Sequence, residues 1–435
     1  MMRAMFVAKL FALSALAFSE LGAATPGATW VATWTAAPQE LPNGQAQHFD
    51  PQQTIRLITH VTLGGRALRF QMSNLYGATP LRIGAAHVGL RTMAARIDPS
   101  SDRPLTFGGR TAIVIPPHGS VQSDPVLLDV RPESDLAVSL YLPQGAEGVT
   151  AHVLAKQTNY VAAKFGDETS AIDFPVGRTF HAWPFVTAVD VRAATPSAAV
   201  VAFGDSLVDG DGSTADANHR WPNLLASRLL SNGKPLAVVN EGIIANRLLR
   251  GVAPEMREKF GGIPGDSALA RFDRDVLSQA GVRCVIVRTG TNDLGFPGSL
   301  TSMAESETAT RIFGGYERLA ARAHANRVSI FVTTIPPFEG AAFAPGYYSP
   351  AKELVRQEVN DRIRRSRIFD GLIDFDLILR DASRPSRLDA RYDSGDHLHP
   401  NDAGYRAVAD ATPLSMLWPR CAAQQKGGMD DAKIR

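Results

Sequence analysis

Two patterns of apolar and polar positions divide the chain, and the change falls near residue 195. Before it, short stretches such as 66–72 and 135–142 alternate apolar and polar residues between Gly and Pro turns. A period of two is typical of half-buried strands, and regular turns between such strands are typical of an antiparallel sandwich. We therefore predict a β-sandwich domain over residues 25–192.

After residue 196, short buried runs alternate with longer helical stretches. The predicted strands are 198–203, 236–239, 282–287, 328–334 and 372–375, and the predicted helices are 221–230, 267–278, 309–326, 350–365 and 403–411. Buried runs too short for helices and rich in branched residues are typical of parallel strands. The alternation predicts a doubly wound α/β domain over residues 196–420, with ligands at the carboxyl ends of its strands and a polar tail at 421–435.

The N-terminal 24 residues have the pattern of a cleavable secretory signal. Arg3 and Lys9 form a short basic region, an apolar run covers 10–18, and small residues occupy 22–24. This run is shorter than the roughly 20 residues that a membrane-spanning helix needs. We expect no membrane span and an exported protein, periplasmic or extracellular.

Charge and cysteine content exclude several classes of protein. Across 435 residues, 45 Lys and Arg balance 43 Asp and Glu and are interspersed with them. Nucleic acid is therefore not an expected partner, because its binders concentrate positive charge. The only cysteines, Cys284 and Cys421, cannot form a disulfide framework or a four-cysteine zinc site. Whether they pair with each other is open at this stage.

Three polar blocks follow predicted strands or open a predicted helix. Ser206 stands in Phe-Gly-Asp-Ser-Leu directly after the first strand, at a turn assisted by glycine. Serine needs a base held by a third group, and the loop 393–400 carries Asp396 three residues before His399. Asn292 follows the third strand, where its amide could donate to a developing oxyanion.

Rival residues stand near these candidates. A second Gly-Asp-Ser contains Ser267, but it directly precedes a helix, which favours an N-cap. His397 competes with His399 and Asp393 with Asp396; the spacing and the proline after His399 favour His399 and Asp396. The acidic stretch 209–216 lacks the glycine and final glutamate of a calcium loop, so we expect turn chemistry and neither metal nor cofactor.

The three blocks, in this order, resemble the GDSL or SGNH hydrolase family over about residues 198–412. The G-x-S-x-G elbow of other α/β-hydrolases does not occur in the chain. The resemblance implies a flavodoxin-like sheet, Ser206 as nucleophile, His399 as general base and Asp396 as its orienting partner. It also implies an oxyanion hole from the Ser206 backbone N–H, a second backbone N–H and the Asn292 side chain.

One position departs from the family pattern. The family's oxyanion glycine falls at Ala245 of this chain. Alanine can donate its N–H equally well unless the turn needs a positive φ, where its Cβ would cost about 1 kcal/mol or more. Ala245 is the first choice for the donor, and Gly242 is the alternative.

The segment 336–348, after the fourth strand, is rich in aromatic residues and should overhang the catalytic edge. Phe343 and Tyr347 are candidates to contact a sugar face or an acyl chain, and packing of this loop onto its own domain is the alternative. The resemblance, together with the preceding sandwich, implies an exported two-domain esterase acting on a small-molecule or polysaccharide ester.

Three other functions stay open: a lipase-like or lysophospholipase-like esterase, an O-acyltransferase using the same serine, and a carbohydrate-binding protein with a relic hydrolase domain. The acyl length, the role of the sandwich and the oligomeric state are not indicated. Since the base must be neutral, we expect activity to fall as pH drops through the ordinary histidine pKa of about 6.5.

Overall fold

A computed structural model describes residues 29–41, 47–147, 149–193 and 197–422. The predicted signal peptide and residues 423–435 of the predicted tail lie outside this range. None of the helices in the described ranges is long and apolar enough to cross a membrane.

The region before residue 193 is built of antiparallel strands, as predicted. The alternating stretch 135–142 forms a central strand that pairs on both sides. The strands are β1 (Trp30–Thr35), β2 (Gln39–Glu40), β3 (His48–Phe49), β4 (Gln53–His60), β5 (Gly65–Ser73), β6 (Leu81–Ile83), β7 (Ala85–Met93), β8 (Arg96–Ile97), β9 (Arg103–Pro104), β10 (Ile113–Ile115), β11 (Ser120–Gln122), β12 (Val126–Val130), β13 (Asp135–Leu142), β14 (Ala146–Glu147), β15 (Thr150–His152), β16 (Asn159–Ala162), β17 (Val176–Phe180), β18 (Trp183–Pro184) and β19 (Val186–Arg192).

Two larger sheets carry most of these strands. One has the order β1-β19-β5-β11, with β12 also pairing β5, and the other has the order β17-β16-β4-β13-β7-β8, with β9 also pairing β7. Smaller ladders join β10 to β6, β14 to β3, and β18 to β15 to β2. Alternate side chains of both larger sheets enter a buried core, which explains the period of two in the sequence.

The region after residue 197 contains a five-stranded parallel sheet. Its strands are β20 (Ala198–Gly204), β21 (Leu236–Gly242), β22 (Val282–Arg288), β23 (Ser329–Thr333) and β24 (Gly371–Ile373). They lie in the order β21-β20-β22-β23-β24, and every pairing is parallel. In chain order this is 2-1-3-4-5, the flavodoxin-like arrangement. The predicted fold class is confirmed.

Helices cover both faces of this sheet. They are α1 (Ser206–Asp209), α2 (Trp221–Ser231), α3 (Pro254–Phe260), α4 (Ala268–Phe272), α5 (Thr291–Gly295), α6 (Ala309–Ala325), α7 (Pro350–Arg365), α8 (Phe375–Leu379), α9 (Asp402–Ala411) and α10 (Leu414–Cys421). Short 3-10 turns occur at Pro99–Ser101 and Met303–Glu305.

The structure agrees with some predicted bounds and corrects others. The helix expected over 267–278 is present as α4 followed without a break by a π-helical turn, Asp273–Leu277. Phe375, expected in the last strand, begins α8 because the Asp374 side chain accepts the Leu377 N–H and caps that helix. Pro413 stands between α9 and α10 and is the N-cap residue of α10. The predicted polar tail therefore does not begin at 421, since α10 includes that residue.

A disulfide joins Cys284 in β22 to Cys421 at the end of α10. The two cysteines are 137 positions apart in the chain, and the sequence left their pairing open. The bond ties the last helix to the central sheet. A crosslink that closes so long a loop restricts the unfolded chain, which is one source of its stabilising effect.

The sandwich packs directly against the edge strand of the parallel sheet. The Ala32 N–H donates to the Ala280 carbonyl at 2.8 Å, and Thr35 Oγ1 donates to the Asn240 carbonyl at 3.0 Å. One contiguous apolar core includes side chains from both domains. The sandwich is therefore a fixed neighbour of β21, the strand that leads into residues 240–247.

Candidate active site

Ser206 is placed by a tight junction between β20 and α1. Gly204 ends the strand opposite Arg288, and a Cβ at position 204 would lie 1.6 Å from the Arg288 carbonyl oxygen. Only glycine permits this approach. Asp205 then caps α1 by accepting the Leu207 N–H at 3.2 Å. Ser206 thus begins the helix at the carboxyl edge of the sheet, with 5% of its surface exposed.

The loop that precedes α9 brings a histidine and a carboxylate to this serine. His399 Nε2 lies 2.9 Å from Ser206 Oγ, and His399 Nδ1 lies 2.6 Å from Asp396 Oδ2. The other oxygen of Asp396 accepts the backbone N–H groups of Leu398 at 2.9 Å and His399 at 2.8 Å. The structure therefore places the three predicted side chains in the hydrogen-bonded order serine, histidine, aspartate.

The electrostatics of this loop keep Asp396 ionised. Partial burial acts to raise the pKa of the Asp396 carboxyl, but hydrogen bonds from the His399 ring and from two backbone N–H groups outweigh it. The pKa of Asp396 is held well below its usual range. An ionised Asp396 keeps a proton on His399 Nδ1, which leaves Nε2 free to accept the Ser206 proton.

The rival residues His397, Asp393 and Ser267 form other hydrogen bonds. His397 has a positive φ of 61° and a side chain that is 54% exposed, and it pairs with Asp393. This second pair does not contact Ser206. Ser267 caps α4 by accepting the Ala270 N–H at 3.2 Å.

The turn that follows β21 contains the predicted oxyanion donor Ala245. The Asn246 N–H donates to the Ile243 carbonyl at 3.2 Å and closes this turn, and Ala245 has a φ of 62°. Residue 245 is therefore in the left-handed region, where alanine is strained by about 1 kcal/mol relative to glycine. The alternative donor is engaged, since the Gly242 N–H donates to Asn240 Oδ1 at 2.9 Å.

The two backbone donors predicted for the oxyanion hole are free in the resting protein. Among the residues that the structure describes, neither the Ser206 N–H nor the Ala245 N–H has a protein acceptor. Gly242 allows the two segments to approach, because a Cβ there would lie 2.2 Å from the Asp209 nitrogen of α1. Free N–H groups held near a nucleophile can stabilise a developing oxyanion.

Hydrogen bonds to both polar atoms of the Asn292 amide fix its orientation. Nδ2 donates to the Asn246 carbonyl at 2.8 Å, and Oδ1 accepts the Tyr347 hydroxyl proton at 2.7 Å. One Nδ2 hydrogen stays available. Burial raises the pKa of Tyr347 well above its ordinary value, so its hydroxyl stays protonated and can donate.

The two aromatic candidates have different positions. Tyr347 is 1% exposed and lies behind Asn292, which corrects the expectation that it touches substrate directly. Phe343 is 44% exposed and stacks on Phe296, with ring centroids 6.3 Å apart and an interplanar angle of 22°. The loop thus packs on its own domain and keeps one ring accessible.

Buried ionic groups stabilise the loops around the candidate site. Asp205 pairs with Arg288, which ends β22, and both side chains are buried. Burial raises the pKa of Asp205. A charged residue at the end of an apolar strand was the available signal for Arg288. Asp293 accepts the N–H groups of Leu248 at 2.7 Å and Leu249 at 2.9 Å, and burial raises its pKa to about 6.

The acidic stretch 209–216 contacts the sandwich. Asp216 accepts the Thr158 N–H at 2.6 Å, and Asp211 lies 3.7 Å from the ammonium of Lys156. Within the described ranges, no group of three or more His, Cys, Asp or Glu side chains is arranged to hold a metal ion.

The α/β domain thus holds Ser206, His399 and Asp396 in one hydrogen-bonded chain at the carboxyl edge of its sheet. Residues 202–407 match the GDSL-like Lipase/Acylhydrolase family. The α/β domain is thus a GDSL-type acylhydrolase domain, and an antiparallel β-rich domain precedes it. The family's chemistry is hydrolysis of acyl groups.

Two solved structures are similar to this chain over about half of its length. A GDSL-like lipase from Bacteroides thetaiotaomicron VPI-5482 is 18% identical, with coverage of 50% of this chain and 87% of its own and a TM-score of 0.36. A carbohydrate acetylesterase family member from Sinorhizobium meliloti is 19% identical, with coverage of 51% and 96% and a TM-score of 0.36. No curated protein matches the chain.

Proposed function

We propose that this protein is an exported serine esterase that hydrolyses carboxylic esters with Ser206 as nucleophile. The observation that carries the proposal is the chain of short contacts from Ser206 Oγ to His399 Nε2 at 2.9 Å and from His399 Nδ1 to Asp396 at 2.6 Å. Such a chain lets the histidine remove the hydroxyl proton while the carboxylate stabilises the resulting imidazolium.

The reaction proceeds in two halves. Ser206 Oγ attacks the ester carbonyl carbon as its proton passes to His399 Nε2, and the carbonyl oxygen takes the negative charge. The N–H groups of Ser206, Ala245 and Asn292 donate to that oxygen. The tetrahedral intermediate then expels the alcohol, which takes the proton from His399.

An acyl-serine remains after the first half. Water attacks it while giving a proton to His399, and collapse of the second tetrahedral intermediate releases the carboxylic acid and restores Ser206. No cofactor enters either half of this scheme.

For the substrate, we propose a short acyl ester, such as an acetyl group on a glycan or a small glycoside. The exposed ring of Phe343 supports this, since it stands beside the Asn292 region and could stack on a sugar face. Export is supported by the signal-like N-terminus and by the Cys284–Cys421 disulfide, because disulfides persist mainly in oxidising compartments.

The proposal is tested by hydrolysis of p-nitrophenyl acetate, butyrate and decanoate by the mature protein and two variants. Ser206→Ala should abolish turnover. Ser267→Ala, in the second Gly-Asp-Ser, should retain it because Ser267 caps a helix. A preference for acetate supports the proposed substrate, and a preference for decanoate supports lipase-like use. A wild type inert on all three, or an active Ser206→Ala, would overturn the esterase mechanism.

A further inference from the structure

A histidine of the sandwich is buried against the helix that carries the nucleophile. His152 ends β15, and its Nε2 lies 2.9 Å from Oδ1 of Asp209 in α1. The two side chains are 4% and 2% exposed. His152 Nδ1 lies 3.0 Å from the Ala37 carbonyl oxygen, so the ring stands between two acceptors and donates to both when each ring nitrogen carries a hydrogen.

The other oxygen of the Asp209 carboxylate binds the turn 243–246, which contains the proposed donor Ala245 and is called the oxyanion turn below. Asp209 Oδ2 accepts the Ile244 N–H at 3.1 Å. Asp209 lies three residues after Ser206, and Ile244 directly precedes Ala245. One carboxylate therefore connects the helix that begins with the nucleophile to the turn that presents the second backbone donor.

This turn needs external support more than a glycine turn would. Ala245 has a φ of 62°, a conformation that costs alanine about 1 kcal/mol or more. A backbone that must stay in a disfavoured conformation does so only when its surroundings hold it there. Here the support is a buried carboxylate, which itself requires partners for both oxygens, and His152 supplies one of them.

The contact between His152 and Asp209 is part of a longer interface between the two domains. After His152, residues 154–158 of the sandwich continue along the acidic stretch of the α/β domain. Arg220 of the α/β domain donates to the Leu154 and Ala155 carbonyls, and Thr158 bonds to Asp216 through its N–H at 2.6 Å and its hydroxyl at 2.6 Å. The backbone that follows His152 is thus bound to the α/β domain as well.

We propose that His152 is a positioning residue for catalysis, through which the sandwich domain sets the oxyanion turn by way of Asp209. This inference rests on the proposed esterase function and gives the sandwich a role in it. The α/β domain does not contain all of its own site support. The sandwich should act on turnover, kcat, more than on the Michaelis constant, since the turn meets charge that develops only in the transition state.

A double-mutant cycle on the full mature protein tests this chain of contacts. His152→Ala, Asp209→Ala and the double variant are compared for kcat and KM on p-nitrophenyl acetate. We expect each single variant to lose about tenfold to a hundredfold in kcat, because a small misplacement of catalytic donors has effects of this size. The double variant should lose little more than Asp209→Ala alone, since His152 acts through that carboxylate.

Two further variants separate positioning from general stability. In His152→Gln an amide N–H can still donate to Asp209, so part of the lost kcat should return. Arg257→Ala breaks a different interdomain pair, with Glu40 at 2.8 Å, and should leave kcat unchanged. Thermal unfolding of every variant is measured as well, so that only variants folded at the assay temperature are compared.

A fluorophosphonate probe supplies a second readout, because it labels an activated serine without an ester substrate. If the wild type is active and His152→Ala keeps its full kcat and full labelling rate, the inference about His152 is overturned while the proposed function stands. Additive losses in the cycle do the same. A wild type inert to both esters and probe overturns the proposed function and this inference together.

Discussion

The two sides of the candidate site are held in different ways. On the acid–base side, Ser206, Asp396 and His399 come from one strand end and one loop of a single domain, and they bond directly to each other. On the oxyanion side, Ala245 and Asn292 are oriented by groups outside the turn and helix that carry them.

The difference follows from what each side must do. The acid–base groups have partners in the resting protein, so their own hydrogen bonds orient them. Oxyanion donors are directed at a charge that exists only during the reaction, and their free N–H groups cannot orient themselves. A second set of contacts must do it, here Tyr347 for Asn292 and Asp209 for the turn.

The largest expected effect compares the two histidines of the acid–base loop. His399→Ala should lower kcat by about 10⁴-fold or more, since the serine loses its base. His397→Ala, a matched control two residues away, should stay within about twofold because its ring faces Asp393. Steady-state kinetics on p-nitrophenyl acetate measure both. Equal losses in the two variants would mean that the loop is only a structural unit.

A smaller effect is expected on the oxyanion side. Asn292→Ala should lower kcat by about a hundredfold, the usual result of losing one oxyanion donor. Tyr347→Phe removes only the hydroxyl that orients Asn292 and should cost about three- to tenfold in kcat with little change in KM. If Tyr347→Phe instead raises KM and leaves kcat unchanged, the tyrosine contacts substrate after all.

Relieving the backbone strain at Ala245 should change the stability of the folded protein. Ala245→Gly removes the strain of a left-handed alanine but makes the unfolded chain more flexible. We expect a net gain of about 0.5–1 kcal/mol in the free energy of unfolding, measured by urea denaturation, with kcat retained because Asp209 still holds the turn. A loss of stability would show that the alanine is not strained in this protein.

The smallest expected effect concerns the acid–base side and is a dependence of protein stability on pH. The pKa of Asp396 is lower in the folded than in the unfolded protein, so its stabilisation is present above the ordinary carboxyl pKa of about 4 and is lost as pH falls. Between pH 5 and 2.5, wild type should lose more unfolding free energy than Asp396→Asn. We expect at most about 1 kcal/mol, since solvent screens a carboxyl that is 42% exposed. Parallel losses would contradict the assigned shift.

Periodicity predicted the elements better than their ends. The five parallel strands begin and end within a few residues of the expected positions because buried branched runs leave a clear pattern. The bound that failed at the end of the last strand depends on a single capping group, Asp374, and the π-helical bonding at Asp273–Leu277 was not predicted within a helix whose bounds were. Such events involve one or two hydrogen bonds and leave no periodic signal.

By itself, the sequence predicted the doubly wound domain, the preceding β-rich region, and a candidate nucleophile, acid and base that follow one another along the chain as Ser206, Asp396 and His399. Those features depend on buried strand runs and on residues three positions apart, and both leave local patterns. Tertiary structure alone decided that Ala245 has a positive φ, that Tyr347 lies behind Asn292 and that His152 meets Asp209. The last two contacts join residues 55 and 57 positions apart, and the conformation of residue 245 depends on what packs around it, so no local pattern encodes them.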